Sequence, residues 1–461
     1  MVKIDEILFN SQVIKEEQLN AYFKSVVEAS FQELIRRYEK YILPIMFQRG
    51  WKVRDYKERT VSCTYGTVTF VRAQLYRDGA YCFPVDKKFG FESRKRVSKE
   101  LEYQCIELAT VMPEREVCKV IEKMYNVAIS PIVVTKALND AEQVLKEYQD
   151  YQESYEDTEE IPKIERPVIY IEADSILLKY QSHRKQERSS KRFEIARLLI
   201  HTGSKQVGKN RWELQDKFEI SESSPHACFK KAVQLLERHF IIKPETLLIT
   251  NSDGGKGYAP LSFHSFAKLM GFQRHEHFWD SYHVQKEIKN QLRLFGRDTI
   301  SEVLDLVLSR KKKELQELLE SLASQLEGEM LESFDGFRKR LIRDFRYTKL
   351  ASQRGLDSHG IGVMESNHRK LTYRMKHRGM YWTKEGGMTM ARLIELKASG
   401  TLRNVFFGQW REIYEGYRQA DEDYYYHQNK KIEKSYEQIP KKLGLKLVSP
   451  RYNERFGKRI N

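Results

Sequence analysis

A mixed α/β fold carrying an all-α insertion is what this 461-residue sequence predicts, on three observations. Between residues 168 and 283, short apolar and β-branched runs alternate with helical stretches, in the order three strands, helix, strand, helix, strand. Residues 284 to 358 then change to sustained helical periodicity, with Leu304, Val307, Leu308, Leu315, Leu318, Leu319 and Leu322 at helical spacings. A last helical zone, 359 to 400, completes the core. That order is expected of a ribonuclease H-like core, in which three strands form an antiparallel meander and later parallel strands lie beside the first.

The elements follow from local chemistry. From Glu16 to Ile42 apolar residues repeat at three and four positions, which predicts a long amphipathic helix. The run "RTVSCTYGTVTFVRAQLYRDGAYCFP" alternates and carries turn signals at Tyr65-Gly66 and Asp78-Gly79, so residues 1 to 98 read as a helix plus an antiparallel meander. Residues 99 to 152 read as helical. Ser130 and Pro131 open the last helix after a short "NVAI" turn, giving a helix-turn-helix-like hairpin that is either a DNA reader or an ordinary helical pair. The acidic, proline-containing stretch 153 to 167 reads as a linker. In the core the three meander strands are "VIYIEAD", "SILLKYQ" and "RFEIARLLIHTG"; "TLLITNSD" and "GFQRHEHFWD" are the parallel ones. Residues 401 to 461 form a basic, tyrosine-rich tail.

Composition narrows the function. Eighty Lys and Arg against 65 Asp and Glu leave a formal charge of +15, which favours a polyanionic partner, nucleic acid first. No stretch approaches the roughly 18 apolar residues that span a bilayer, and the expected location is cytoplasmic, on the nucleoid. The five cysteines, Cys63, Cys82, Cys105, Cys118 and Cys228, show no C-x-x-C pairing, so neither a disulfide framework nor a zinc knuckle is expected.

Against that basic background, Asp174 and Asp253 each end an apolar strand of one sheet. If the strands are neighbours, their carboxylates meet, repel, and call for a divalent cation with oxygen ligands. Glu365, in "GVMESNHR", is the candidate third acid. Such a site suits in-line displacement at phosphorus, with two metal ions about 3.5 to 4 Å apart. The glycines of "DGGKGY" do not make a nucleotide P-loop, because Lys256 is followed by Gly257 and not by Ser or Thr.

The blocks "YIEAD", "NSDGG", "FWDSYHVQK" and "MESNHRKLTYRMKHRGMYW", with "TYGTVTFVRAQLYRD" upstream, resemble the ISLre-type bacterial insertion-sequence transposases, relatives of the Mutator-like group. The resemblance covers most of the chain. It implies a ribonuclease H-like DDE domain with a helical insertion before the glutamate, and Mg2+-dependent cleavage and joining of DNA, with two ions for which Mn2+ substitutes. Carried over by motif, Asp174, Asp253 and Glu365 become the metal-binding triad. Asp280 and His283, as the family's D-x-x-H, sit beside the active site together with Trp279, a candidate base-stacking platform. The separations of 79 and 112 positions between successive acids leave room for the intervening strands and the insertion.

Three basic stretches are expected to track phosphates. The first contributes Arg338, Lys339, Arg340, Arg343 and Arg346; the second, directly after Glu365, contributes His368, Arg369, Lys370, Arg374, Lys376 and Arg378. Lys256 joins them from the glycine turn, and residues 441 to 459 form the third stretch. The expected partner is double-stranded DNA, both element ends and target, bound by a homodimer or larger assembly.

Overall fold

The computed structural model describes residues 15–154, 162–181, 191–209, 211–255, 257–377, 379–416 and 418–419. Lys256, Arg378, the basic stretch 441 to 459 and residues 155 to 161 of the expected linker lie outside the described residues. The chain divides into two compact units: Met1–Lys146 with Glu159–Phe406, and Glu147–Thr158 with Phe407–Asn461. In the smaller unit Tyr148, Tyr151 and Tyr414 surround Trp410, with ring centroids 5.1 to 6.2 Å from it.

The larger unit opens with helix α1 (Glu16–Gln48) and the strands β1 (Lys52–Cys63), β2 (Gly66–Arg77) and β3 (Ala80–Cys82), which pair in the order β1-β2-β3. Because β3 covers only Leu75 to Arg77, the rest of the β2 edge needs other partners. Helix α1 supplies them. Glu28 accepts from the Thr69 N–H, Gln32 donates to the Thr69 carbonyl, and Glu39 accepts from the Ala73 N–H. Phe31 and Ile35 of the same helix bury themselves against Val61, Val68 and Phe70. The helices α2 (Pro84–Phe89), α3 (Lys99–Ala109), α4 (Glu114–Tyr125) and α5 (Pro131–Ser154) follow.

A two-residue strand β4 (Ile164–Glu165) precedes β5 (Val168–Lys179), the centre of a five-stranded sheet. Here the structure corrects the sequence expectation: "VIYIEAD" and "SILLKYQ" are one strand, and Asp174 lies in its middle. Nothing at Asp174-Ser175 breaks the chain: the pairing with β6 runs without a shift from Tyr170 to Lys179, and Ile176 and Leu178 are the buried apolar residues that continue the face of Tyr170, Glu172 and Asp174. β6 (Arg192–His201) is antiparallel to β5; an exposed hairpin of β7 (Ser204–Gly208) and β8 (Arg211–Leu214) then leads to β9 (Phe218–Glu222), antiparallel to β6. The third meander strand is therefore β9. Its alternation was masked by Glu219, Ser221 and Glu222, whose polar groups are used in ion pairs and hydrogen bonds.

Helix α6 (Pro225–His239), the short β10 (Phe240–Ile241), β11 (Leu247–Ser252), α7 (Pro260–Leu269) and β12 (Arg274–Trp279) complete the sheet, in the order β12-β11-β5-β6-β9. β11 runs parallel to both β5 and β12. One sheet face packs against α6 and α7 through Ile169, Ile171, Leu198, Leu236, Phe263 and Phe266. Helix α8 (Ser281–Gln291) then leads into α9 (Gly296–Leu308), α10 (Lys312–Ala323) and α11 (Gly328–Arg343), which share a separate core around Val303, Leu315, Leu319, Phe334 and Leu341. Chain return is through α12 (Met364–Met375) and α13 (Lys384–Ala398), which lie on the opposite face of the sheet. Among the described residues, no helix is long and apolar enough to cross a membrane.

A histidine trio joins the parallel edge to the insertion. Thr250 Oγ1 lies 2.8 Å from both His275 Nε2 and His277 Nδ1, and His275 Nδ1 lies 3.1 Å from His264 Nδ1. Burial holds His277 down to about 3, helped by the neighbouring imidazoles and by Arg354 and Arg346. A base depressed in the folded state gives stability that is present above its unfolded value and is lost as pH falls toward the folded one. Denaturant unfolding at pH 5.5 should therefore show this single group contributing about 1 kcal/mol less than at pH 7.5. His277→Gln should remove that share; an unchanged pH dependence would refute the assignment.

Candidate metal and active site

The period of two along β5 puts Tyr170, Glu172 and Asp174 on the face away from α6 and α7. Two of these are acids in a run otherwise buried and apolar. Asp174 Oδ1 accepts from the Ser175 N–H at 2.7 Å. On the neighbouring strand Ser252 pairs with Ala173, so Asp253, the next residue, comes level with Asp174. The turn after Asp253 is tight: its Oδ1 accepts from the Gly255 N–H at 2.8 Å, and its carbonyl accepts from Trp279 Nε1 at 2.9 Å. Gly254, at φ +69°, approaches the Trp279 ring so closely that a Cβ would stand 3.4 Å from Nε1.

Helix α12 brings the third acid. Glu365 lies in its first turn, exposed, and His368 lies one turn on, buried. The first N–H groups of a helix need acceptors, and no side chain at the start of α12 supplies one. Glu172 does so from the sheet, its two oxygens accepting from the N–H groups of Gly362 at 2.6 Å and Met364 at 2.7 Å. This carboxyl is 1% exposed. Burial pushes it up to about 8, against the opposing pull of the Val363, Met364 and Gly362 N–H groups.

As a result, one donor atom from each of Asp174, Glu365 and His368 lies within 4.8 Å of the others. Burial raises Asp174 to about 6; the Ser175 N–H opposes this, while the charges of Asp253 and Glu365 add to the rise. His368 Nδ1 is 3.3 Å from Asp174 Oδ2, and burial holds this imidazole down to about 3, so it is neutral. Asp280 caps α8: its Oδ1 accepts from the N–H and the Nδ1 of His283, both at 3.1 Å, and its Oδ2 accepts from Asn251 at 3.0 Å. That hydrogen bond, with the charges of Asp174 and Asp253, raises His283 above its ordinary value. A buried carboxyl driven toward its neutral form, with further acids adding to the rise, belongs to a donor set that fits a divalent cation, which would favour the ionised form.

The model of one protein family, described as uncharacterised, matches residues 8–412. The chain belongs to the uncharacterised protein family UPF0236. A UPF0236 protein from the vanSb 3′ region of Streptococcus gallolyticus is 27% identical over 405 residues, covering 87% of this chain and 86% of that one. Among solved structures, a Drosophila P element transposase strand transfer complex is similar over 72% of this chain and 88% of that one, at 12% identity and a TM-score of 0.25. A likeness that low has no bearing on fold or function.

In this UPF0236 member the expected phosphate-tracking cations fall into two groups. Lys339, Arg343, Arg346, Arg369 and Lys376 are exposed. The others among the described residues are used internally. Arg338 pairs with Glu320 and Asp335, Arg340 with Glu287, and Lys370 with Glu219. Arg374, 2% exposed, donates to the Ala109 carbonyl at 2.7 Å. The helical period explains the division within α12: His368, Leu371, Arg374 and Met375 face inward, whereas Arg369 and Lys376 face out. Trp279 is also buried, with Arg340 over its ring at 5.1 Å, so it braces the Asp253 turn and offers no open face to a base. Helix α5 carries Lys136 and Lys146 against Asp140, Glu142, Glu147, Asp150 and Glu153, a balance that repels phosphates and argues against it as the DNA reader.

Besides His368, which sequence reading gave only as a phosphate-tracking base, two residues of the site escaped it. Glu172 is one, although a second acid two positions before Asp174 on the same strand face was its available signal. Arg197 is the other. It pairs in register with Asp174 and is fully buried, with Nη2 within 3.0 Å of Glu395 and 3.3 Å of Glu219, and Nε donating to Ser221 at 3.1 Å. Its signal was a lone arginine inside the apolar run "RFEIARLLIH".

Proposed function

We propose that this chain is a DDE transposase of the ISLre type, which binds the ends of a mobile element and cleaves and joins DNA strands. The observation that supports the reading is that a donor oxygen of Glu365 lies within 4.8 Å of one of Asp174, on a helix whose start is bonded to the same strand, while Asp253, directly after the adjacent parallel strand, comes level with Asp174. The order β12-β11-β5-β6-β9, three antiparallel strands with parallel strands beside the first, supports a ribonuclease H-like core. The formal charge of +15 supports a nucleic-acid substrate.

Asp174, Asp253 and Glu365 are the residues that would hold the metal. A divalent cation bound there supplies Lewis-acid activation of the attacking oxygen and neutralises charge developing at phosphorus. The chain's own groups do the rest. Asp280 orients His283, and its hydrogen bond, with the charges of Asp174 and Asp253, raises this imidazole above its ordinary value beside the acids. Exposed Arg369, on the helix of Glu365, and Lys376, at its C-terminal cap, would hold the phosphate backbone and so position the scissile group.

The test is to incubate the full chain with labelled element-end DNA, a target plasmid and Mg2+ or Mn2+. Cleaved ends and joined products are expected. Cleavage with no joined product would leave a nuclease and overturn strand transfer.

A further inference from the structure

We propose that His368 is a nitrogen ligand of the metal site, and that the site therefore takes a first-row transition-metal dication such as Mn2+ in preference to Mg2+. The inference rests on the proposed metal role of Asp174 and Glu365 and adds the identity of the ion.

The donor set is what distinguishes it. Mg2+ binds oxygen and keeps most of its water, whereas imidazole nitrogen favours the transition-metal dications. The three donor groups that actually converge, within 4.8 Å of one another, are two carboxylates and an imidazole. His368 is 4% exposed, and its Nδ1 lies 3.3 Å from Asp174 Oδ2. Its Nε2 has no hydrogen-bond partner. With a proton on Nδ1 directed at Asp174, Nε2 is a buried lone pair facing no donor; with the proton on Nε2, the Nδ1 lone pair faces a carboxylate oxygen. Either tautomer leaves one nitrogen of a buried ring unsatisfied. A cation taken by Nε2, with the Nδ1 proton kept directed at Asp174, satisfies both nitrogens, and the Glu365-x-x-His368 spacing sets both donors on one side of α12, one turn apart.

The test uses the full-length chain without DNA. Binding of Mn2+ is followed by loss of the free-ion resonance signal, with Mg2+ as competitor, and pulsed resonance reads whether a nitrogen is bound to the ion. Wild type should prefer Mn2+ and show imidazole coupling. His368→Gln should lose the coupling and weaken Mn2+ binding by at least about tenfold, with Mg2+ affinity little changed; His283→Gln should keep the coupling. Mn2+ that needs Asp174 but shows no nitrogen coupling in wild type would overturn the role of His368 and leave the metal site standing. No binding of either ion that depends on Asp174 would overturn the metal site itself. The presence of a bound nitrogen is read on wild type, and its assignment to His368 is read from the contrast between the two histidine variants.

Discussion

Asp174→Asn should make the metal-free protein more stable and, in the same preparation, lower DNA strand cleavage by on the order of 1,000-fold. The two effects have opposite signs for one reason. In the folded chain the Asp174 carboxyl is raised to about 6, chiefly by burial, with Asp253 and Glu365 adding to it. An acid raised by folding contributes stability that is fully present below its unfolded value and is lost as pH rises through the folded one. Near pH 7.5 its charge thus costs about 1 to 3 kcal/mol, which asparagine, neutral and of equal size, would remove. The variant should also lose the share of stability change that wild type shows between about pH 4 and 6. Adding Mn2+ should raise the unfolding midpoint of wild type, by linkage, and have little effect on the variant. Asp253→Asn and Glu365→Gln should match its loss of cleavage. If Asp174→Asn and Glu365→Gln left every DNA transaction unchanged, the chain would bind DNA without catalysis.

This antagonism bears on what the sequence could reveal. Asp253 was legible because its strand ends where its turn begins, with glycines that announce the change of direction. Asp174 was found for a weaker reason, since no strand ends there; its partner across β5 and β6 is the buried Arg197, and both are exceptions inside an apolar run. The helical insertion was legible from leucine spacing alone. β9 was not, because its outward polar groups are satisfied by residues far along the chain: Glu219 by Lys370, and Ser221 by Glu395. A hydropathy pattern records what water would do to a side chain and says nothing of a partner 151 or 174 positions away. The same limit hid His368, which reads as one more base in "HRKLTYRMKHR" until the helix turns it inward.

Glu172 shows the limit most fully, and its substitution should have the second-largest effect. Glu172→Gln keeps size and shape but replaces one acceptor oxygen with an amide that donates. One of the two N–H groups at the start of α12 would then face a donor in a fully buried position, at a cost of about 1 to 3 kcal/mol. Wherever the carboxyl is ionised, removing it works in the other direction, because the burial that pushes it up to about 8 disfavours the charged form. Global stability should therefore change little, while the first turn of α12 loosens. Glu365 hangs from that turn and His368 follows one turn on, and a shift of about 1 Å in a reacting group costs on the order of 100-fold in rate. Amide exchange over residues 359 to 368 should quicken, metal affinity should fall, and cleavage should drop by that factor with the sheet's own protection intact. Glu172→Asp, which keeps the charge but is one methylene too short to reach both N–H groups, should fall between. Unaltered exchange over residues 359 to 368 in Glu172→Gln would mean that the packing of α12 on the sheet, and not this carboxylate, holds Glu365 beside Asp174.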